Sequence, residues 1–457
     1  MKITKDTREK IYLFLSILFI YSIILVHCLD SDMFFIVSSG NDILNGEFYY
    51  NPHTQLPLVN QQWLYSVILA LIDNNFGFIG DTVFVLIQDI ILFWLTYKLL
   101  YKKTNDKYMS LISPIILIIL TSCYMINVRP QIITVILLLA EYMILDKYTE
   151  TNNWKHLLKL IPILLLFANV HNSIFLYSGI ILVPFLVHNH KIDWKIVTTG
   201  IIMPLFTLCT PYGLDGALFI FRVFIYSNSW TKNISELQPI SMFSMLGVVF
   251  VVVLISVLVL IYFKKSNKYI NFYSTLTLVL LVTAARHFIL MYIPLVLITV
   301  VAIQNKPKVK IIPNYMSLVL LFTCSIICFS TYAMYNESSL FKIKNEIELI
   351  EKLDEANIPK DAKIFNNINI GAYLEYYGYN AFIDLRPELY TKPYNNDRLA
   401  QYISVNTGNI VTNTDNIKNI DNFDYVILYN NDPLVLMIDN KYSKIIETDK
   451  FYVYKVS

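Results

Sequence analysis

Long apolar runs separated by short polar connections limit the folds that this chain can adopt. A run of about 20 apolar residues is long enough to cross the hydrocarbon core of a bilayer. By this criterion we expect about eleven transmembrane helices. The expected spans lie near residues 11–29, 82–100, 109–127, 131–147, 157–170, 173–188, 196–210, 241–263, 270–285, 287–304 and 314–334. The fifth and sixth are short and adjacent, which makes them candidates for a broken or re-entrant pair.

The composition supports a chain that is mostly solvated by lipid. Hydrophobic residues make up 56% of the sequence and charged residues 15%, whereas soluble domains carry about 25% charged residues. The predicted fold class is therefore an α-helical polytopic membrane protein, with the lipid bilayer as a partner. The net charge of +2 argues against the concentrated basic surface that nucleic acid binding requires. Abundant Ile, Asn, Lys and Tyr with few Gly are typical of an AT-rich bacterial genome.

The distribution of lysine predicts the orientation of the chain. Basic residues precede the first apolar run, and lysines recur in the connections 101–108, 146–159, 188–195, 264–268 and 305–310. The alternate connections carry few basic residues. Because basic residues concentrate on the cytoplasmic side, we expect a multi-pass protein of the cytoplasmic membrane with its N-terminus inside. Residues 63–72 are too short an apolar stretch to span, so we expect a helix along the outer leaflet.

The composition changes near Asn336, which predicts a domain boundary. Residues 336–367 have the pattern of an amphipathic helix, a loop and a short strand. Residues 381–384 and 424–429 have the pattern of strands, with a helical pattern between them. We expect a transmembrane domain at 1–335 with an external loop at 30–81, and an extracytoplasmic α/β domain at 336–457. An odd number of crossings from an inside start places this domain outside.

Short motifs recur in a fixed order along the chain. They are Asp32, Gly40, Gly46, NPHT (51–54), VN (59–60), WL (63–64), RPQ (129–131), ANVHNS (168–173), TPYG (210–213), SELQP (235–239), ARH (285–287) and GAYLEYYGYNAFIDLRPELY (371–390). This order resembles a group of bacterial polytopic proteins whose first external loop contains an Asp, two glycines, a DPFS segment and a WL pair. The group is similar to the GT-C class of membrane glycosyltransferases, which includes protein mannosyltransferases and lipid A aminoarabinose transferases.

The resemblance implies an enzyme that takes a sugar from a polyprenyl-phosphate donor. The acceptor would be a glycan, lipid or protein of the cell envelope, and transfer would invert the sugar carbon at the outer face of the membrane. The chain departs from the group in two places. Asn51 stands where the group has Asp, and residues 34–36 are Phe, Phe and Ile where an aromatic residue and His are frequent.

Asp32 and the neighbouring Asp30 are the candidate catalytic acids. Displacing a polyprenyl phosphate from a sugar requires a base near the acceptor oxygen. A lipid-linked donor presents its sugar at the membrane surface, where this acid pair follows the first apolar run. The alternative is that the two acids only cap a helix. The spacing of the resemblance favours catalysis for Asp32 more than for Asp30.

Three basic residues are candidates for binding the phosphate of the donor. Arg129 and the Arg286–His287 pair lie at the external ends of predicted spans. Charge accumulates on the leaving phosphate, and arginine can donate two hydrogen bonds to it at once. Basic residues near hydrocarbon usually face a protein interior or a water-filled cavity. The alternative is that these side chains only reach out to the interface.

Further candidate substrate-binding residues lie in two other motifs. Asn169 and His171 interrupt an apolar run, and we expect them to line the same cavity as the arginines. Asp384 and Arg386 follow a predicted strand, where ligands commonly bind, and we expect them to contact the acceptor. The alternatives are a packing histidine and a surface ion pair of small energetic value. The residues leave open whether a divalent metal is needed.

Two other functions agree with the same residues. A transporter or flippase of a lipid-linked or small polar substrate would use the intramembrane charges as a translocation path. A non-catalytic scaffold in envelope assembly would agree with the missing acid at Asn51. The sequence contains neither of the phosphate-binding motifs GxxxxGK[ST] and GxGxxG, and it contains no zinc-binding HExxH motif. ATP-driven transport and zinc hydrolysis therefore lack support.

Overall fold

A computed structural model describes residues 29–125, 127–188, 190–226, 235–305, 343–390, 398–406 and 420–456. The predicted spans near 11–29 (apart from residue 29) and 314–334 lie outside the described residues. The chain divides into two compact units. The helical unit comprises Met1–Cys28, Ile79–Thr210 and Lys232–Ser338, and the mixed unit comprises Leu29–Phe78, Pro211–Thr231 and Ser339–Ser457.

The described elements are mainly helices. The α-helices are α1 Ser31–Leu44, α2 Trp63–Thr104, α3 Lys107–Met125, α4 Gln131–Thr151, α5 Leu160–Val170, α6 Leu176–Leu182, α7 Trp194–Ile202, α8 Gly213–Tyr226, α9 Met245–Tyr262, α10 Lys268–Thr283, α11 Tyr292–Gln304, α12 Lys344–Glu355, α13 Ile368–Tyr376, α14 Arg398–Asn406 and α15 Val435–Ile438. The strands are β1 Tyr50–Asn51, β2 Leu56–Pro57, β3 Val187–His188, β4 Lys191–Ile192, β5 Ile364–Asn366, β6 Tyr425–Tyr429, β7 Ser443–Glu447 and β8 Phe451–Lys455. The 3-10 helices are Trp154–Lys159, Asn172–Ile174, Val183–Phe185, Met203–Leu208, Ser235–Leu237, Ala285–Met291 and Pro387–Tyr390.

Helix α2 is interrupted at Gly77. This residue has φ 58° and ψ −158°, a conformation that glycine adopts without steric cost. The interruption separates the segment that begins at Trp63 from the long apolar segment that follows. The sequence predicts a separate helix at 63–72, and the structure extends that helix as far as the glycine.

Two helical ranges in the described part of the chain are long and apolar enough to cross a membrane, Trp63–Thr104 and Ala285–Gln304. Two pairs of shorter helices pass the same test together, which gives up to four spans. One pair, Trp154–Val170 with Asn172–Phe185, is bent by 117°. This bend confirms the broken pair predicted near 157–170 and 173–188. The total of about eleven crossings stays a prediction.

The core of the helical unit lies around the start of α11. Phe288, Met291 and Tyr292 are completely buried. The hydroxyl of Tyr292 lies 2.9 Å from Oγ1 of Thr96 in α2. This contact gives the buried phenol the partner that a polar group needs away from water.

Two predicted cytoplasmic connections meet in the helical unit. Lys103 donates to Asp146 at 2.6 Å and Lys102 donates to Glu150 at 2.8 Å, and the two crossed pairs also form. These groups are partly exposed, so each ion pair contributes little to stability. The network joins the connections 101–108 and 146–159, and both are predicted to lie on the cytoplasmic side of the membrane.

The C-terminal part of the mixed unit contains a four-stranded sheet in the order β5-β6-β8-β7. Strand β5 runs parallel to β6, and the other two pairs are antiparallel. Ile427 of β6 pairs with Val453 of β8, and both side chains are completely buried. Helix α12 packs its apolar residues Leu349 and Leu353 into the same core, as its amphipathic pattern predicts.

The strand predicted at residues 381–384 is wrong. No strand forms there, because the side chain of Asn366 occupies the hydrogen bonds that a neighbouring strand would make. Its Oδ1 accepts from the backbone of Phe382 at 2.8 Å, and its Nδ2 donates to the carbonyl of Ile383 at 2.8 Å. The segment is therefore largely buried but lies outside the sheet. The strand predicted at 424–429 is confirmed as β6.

Two motif glycines allow backbones of the mixed unit to come close together. A Cβ atom on Gly40 of α1 would lie 2.1 Å from the carbonyl oxygen of Ser66 in α2. A Cβ atom on Gly371 of α13 would lie 2.0 Å from the carbonyl oxygen of Ile383. Any larger residue would push these segments apart. Packing therefore explains why these positions in the motifs carry glycine.

Candidate functional site

The candidate acids lie at the N-terminus of α1. Asp30 is the N-cap residue, and its carboxylate accepts a hydrogen bond from the backbone of Met33 at 3.3 Å. Asp32 lies in the first turn and is partly exposed. The positive end of a helix stabilises a negative charge in this position. The capping interpretation thus describes Asp30, whereas Asp32 lies beyond the N-cap position and is partly exposed.

Aromatic packing fixes the position of α1 within the mixed unit. The ring centroid of Phe34 lies 4.3 Å from that of Tyr373 and 5.0 Å from that of Tyr376, both in α13. Phe35 faces the guanidinium of Arg386, with the central carbon 5.2 Å from the ring centroid. The residues beside Asp32 are therefore held by the C-terminal segment of the chain.

Arg386 is at the centre of a buried polar network. Its Nε donates to Asp384 at 2.9 Å, its Nη1 donates to Ser39 at 2.9 Å, and its Nη2 donates to Glu375 at 2.6 Å. A second bond joins Nη2 to Asp384. Arg386 is 6% exposed and Asp384 is completely buried, so the interpretation as a surface pair is wrong. With every guanidinium nitrogen occupied inside the chain, the network favours a structural role over direct substrate contact.

The pKa values of the two carboxyl groups in this network shift in opposite directions. Burial raises the pKa of Glu375 well above its usual value, and the negative Asp384 raises it further. Burial alone would raise the pKa of Asp384, but the charge and hydrogen bonds of Arg386 outweigh burial and lower it. These opposite directions favour a protonated Glu375 beside a negative Asp384 that balances the arginine. A buried charge that is paired in this way avoids a large desolvation cost.

Asn51 belongs to the same network. Its Nδ2 donates to Glu375 at 3.0 Å, and its Oδ1 accepts from the backbone of Thr54 at 2.7 Å. Asn51 is completely buried. An ionised acid at this position would have no proton to donate to Glu375. Only a neutral acid could replace the hydrogen bond that Asn51 makes. The departure from the DPFS pattern therefore has a structural reason in this chain.

The buried Asp42 and the half-buried His53 form a second pair. Oδ1 of Asp42 lies 3.7 Å from Nε2 of His53. Within the described part of the chain, the other carboxylate oxygen has no hydrogen-bond partner. Burial raises the pKa of Asp42 to about 7, against a smaller lowering by Arg386. Burial and then Arg386 lower the pKa of His53, so the histidine is neutral at pH 7.

We expect Asp42→Asn to remove a pH dependence of stability. The folded-state pKa of Asp42, about 7, exceeds the usual 3.8. Between pH 3.8 and pH 7, the folded state therefore binds a proton at Asp42 that the unfolded state does not. Stability from this group is therefore present at low pH and lost as pH rises from about 4 through 7, by up to about 4 kcal/mol. Thermal unfolding of the purified protein at pH 5 and pH 8 measures the effect. The variant should unfold at a higher temperature than the wild type at pH 8.

The exposed Asp361→Asn is the matched control for this measurement, and it should leave the pH dependence unchanged. If Asp42→Asn shows the same difference between pH 5 and pH 8 as the wild type, the pKa of Asp42 is not raised by burial.

Arg286 is the candidate cation of the helical unit that is available for a ligand. It lies in the 3-10 helix Ala285–Met291 and is exposed. Among the described residues it has no hydrogen-bond or ion-pair partner. Its charge acts on His171, His287 and Tyr177. The structure therefore brings Arg286 into electrostatic range of both candidate histidines.

Both candidate histidines have hydroxyl partners. Nδ1 of His287 lies 2.5 Å from the hydroxyl of Tyr177. Nδ1 of His171 lies 2.7 Å from Oγ1 of Thr134. These bonds fix the orientation of each ring and leave Nε2 as its second polar atom. His171 is buried, which agrees with the packing alternative.

Arg129 and Asn169 have defined partners in the helical unit. Nη1 of Arg129 donates to Glu236 at 2.8 Å. Nδ2 of Asn169 donates to the carbonyls of Leu165 and Cys209 at 2.8 and 3.0 Å. The charge of Arg129 is therefore largely balanced by Glu236. Asn169 connects the end of α5 to the segment after α7.

Several residues of these networks are not among the candidates that the sequence suggests. Glu375 and Glu236 lie inside the quoted motifs GAYLEYYGY and SELQP, so their position in the motifs is a signal that was available. Ser39 and Asp42 carry no comparable signal, because their partners lie far away in the sequence. Within the described ranges, no group of three His, Cys, Asp or Glu side chains is arranged to hold a metal ion.

Comparison with known proteins identifies the fold. No protein-family model and no curated protein matches this chain. Among solved structures, the chain is similar to the crystal structure of ArnT from Cupriavidus metallidurans bound to undecaprenyl phosphate, with a TM-score of 0.64 and 9% sequence identity. The similarity covers 99% of this chain and 99% of that chain. It confirms at the level of fold the GT-C-like architecture that the ordered motifs predict.

Proposed function

We propose that this protein is an inverting membrane glycosyltransferase that uses a polyprenyl-phosphate sugar as its donor. The observation that carries the proposal is the similarity of fold over 99% of both chains to a protein crystallised with undecaprenyl phosphate. The ordered motifs support it independently, because they include an acid in the first external loop and an arginine at the end of a span.

The proposed reaction exchanges one bond at the sugar for another. The hydroxyl oxygen of the acceptor forms a bond to the anomeric carbon while the bond from that carbon to the phosphate oxygen breaks. The polyprenyl phosphate leaves with the electron pair. Asp32 accepts the hydroxyl proton as general base, a role that its partial exposure at the start of α1 supports.

Arg286 is the proposed ligand of the donor phosphate. Its guanidinium is exposed and, within the described ranges, is not engaged by another residue of the chain. A guanidinium can donate two parallel hydrogen bonds to a phosphate, which stabilises the charge that develops on the leaving group. Arg129, whose charge Glu236 balances, is proposed to make a secondary contribution to phosphate binding. His171, His287 and Asn169 are proposed as further substrate-binding residues.

The remaining features of the proposal follow from the sequence. The protein would cross the bacterial cytoplasmic membrane about eleven times, with the N-terminus inside and the α/β domain at 336–457 outside. The acceptor would be an envelope glycan, lipid or protein, and Asp384 and Arg386 would act on it by shaping the C-terminal segment. A transporter would bind the same lipid-linked donor but would leave its sugar–phosphate bond intact.

The proposal is tested with purified protein in lipid nanodiscs and a panel of polyprenyl-phosphate sugars. We expect release of polyprenyl phosphate from at least one donor when envelope acceptors are present. Movement of the intact donor across the membrane without this release would support the transporter instead. Failure to bind undecaprenyl phosphate and to cleave any donor would overturn the proposal.

Arg286→Gln should weaken the binding of undecaprenyl phosphate about tenfold or more, because hydrogen bonds to charged groups contribute about 1.5–3 kcal/mol. Binding is measured by titration of the lipid into the purified protein. Lys155→Gln, an exposed lysine in the predicted cytoplasmic connection 146–159, is the matched control and should bind as the wild type does. Equal affinity of Arg286→Gln and the wild type would remove Arg286 from the phosphate site.

A further inference from the structure

A groove in the helical unit has the properties of a lipid site that the proposed function does not use. Its volume is about 690 Å³, within the range of about 300–1,000 Å³ that is usual for small-molecule sites. It runs beside α10 and is lined on its other side by the segment that includes Val183 and Val187. Phe272 and Val279 form part of its apolar wall.

Lys268 and Asn271 line one end of the groove, and apart from Thr275 the rest of its lining is apolar. Lys268 and Asn271 lie at the start of α10, whereas Val279 lies almost three turns further along the same helix. At 1.5 Å per residue, the distance from Lys268 to Val279 along the axis is about 16 Å. A ligand that fills this groove therefore has a polar head and an apolar chain of about that length.

The polar end favours an anion. Nζ of Lys268 donates to the carbonyl of Val187 at 2.6 Å and lies 4.9 Å from the ring centroid of Tyr269. An ammonium group has three donors, so a backbone carbonyl and a ring face leave it able to bind an anion. The positive N-terminus of α10 lies at the same place. Lys264 and Lys265 precede this helix and are exposed.

We propose that this groove binds an anionic phospholipid such as phosphatidylglycerol. The phosphate lies at Lys268, and one acyl chain lies along α10 toward Val279. Basic pockets between membrane helices are known to bind anionic head groups. Since the connection 264–268 is predicted to be cytoplasmic, the bound lipid belongs to the inner leaflet, and the site is independent of the proposed sugar transfer.

The test places a fluorescent reporter in the groove. Phe272→Trp is prepared in nanodiscs of phosphatidylcholine to which brominated phosphatidylglycerol or brominated phosphatidylcholine is added, and the fluorescence of the native tryptophans is subtracted. We expect phosphatidylglycerol to quench the new tryptophan with about fivefold higher relative affinity, the factor that about 1 kcal/mol per lysine gives. Adding Lys268→Gln should abolish this preference, and Lys268→Arg should retain it.

Lys265→Gln is the matched control, because it removes an exposed lysine of the same connection. It should keep most of the preference. Equal quenching by the two brominated lipids would show an ordinary lipid-facing surface and would overturn the proposal. A preference that survives Lys268→Gln, or that Lys265→Gln removes to the same extent, would assign the effect to diffuse surface charge and would overturn it as well.

Discussion

Asp32→Asn should lower the rate of sugar transfer by about 10²–10⁴-fold, the range that a positioned general base contributes. The amide has nearly the same shape as the carboxylate but cannot accept the proton of the acceptor hydroxyl. The measurement is the release of polyprenyl phosphate from whichever donor the wild type cleaves. Binding of undecaprenyl phosphate should persist, because the proposed phosphate ligand is Arg286.

The neighbouring acid provides the matched control for this prediction. Asp30 is the N-cap of α1, so Asp30→Ala should reduce stability by about 1 kcal/mol while leaving the transfer rate of the folded enzyme within a few-fold of the wild type. A loss of rate in the Asp30 variant with full activity in Asp32→Asn would move the base to Asp30. Full activity in both variants would exclude this acid pair from catalysis.

The sequence predicted those elements whose signal is local. The apolar periodicity of α12 and of β6 is contained in the residues that form them, and the structure confirms both. The bent pair near His171 was predicted for the same reason, since its two apolar runs are short and adjacent, and Asn169 and His171 interrupt the apolar sequence there. The ordered motifs also predicted the GT-C-like fold, because spacing along the chain is a property of the sequence itself.

The parts that local patterns did not predict depend on contacts between distant residues. Residues 381–384 have the composition of a strand, yet the side chain of Asn366 occupies their hydrogen bonds. Arg386 meets Ser39 across 347 positions of the chain, and Asn51 meets Glu375 across 324. The sequence around one partner does not indicate which residue the other partner is. A pair such as Asp384–Arg386 therefore looks like a surface ion pair until the fold buries it.

The buried network makes a further prediction that separates its two carboxyl groups. Arg386→Gln should destabilise the protein by about 3–5 kcal/mol, because it leaves Asp384 as a buried charge without its partner. Asp384→Asn should cost a similar amount, since it leaves the arginine uncompensated. Glu375→Gln should cost much less, because the neutral amide replaces a carboxyl group that already keeps its proton. Thermal and denaturant unfolding of the purified variants measures these differences.

The comparison of Glu375→Gln with Asp384→Asn decides where the proton of the network lies. The two substitutions are chemically equivalent and affect completely or almost completely buried groups, so a general sensitivity to mutation would destabilise both alike. A loss for Glu375→Gln equal to that for Asp384→Asn would place a negative charge on Glu375 and contradict the assignment. If only the aspartate and arginine variants are strongly destabilised, one charged pair and one neutral acid hold α1 to the C-terminal segment. In that case we also expect Arg386→Gln to lower transfer activity, because Ser39 and Phe35 of the helix that carries Asp32 lose their shared partner.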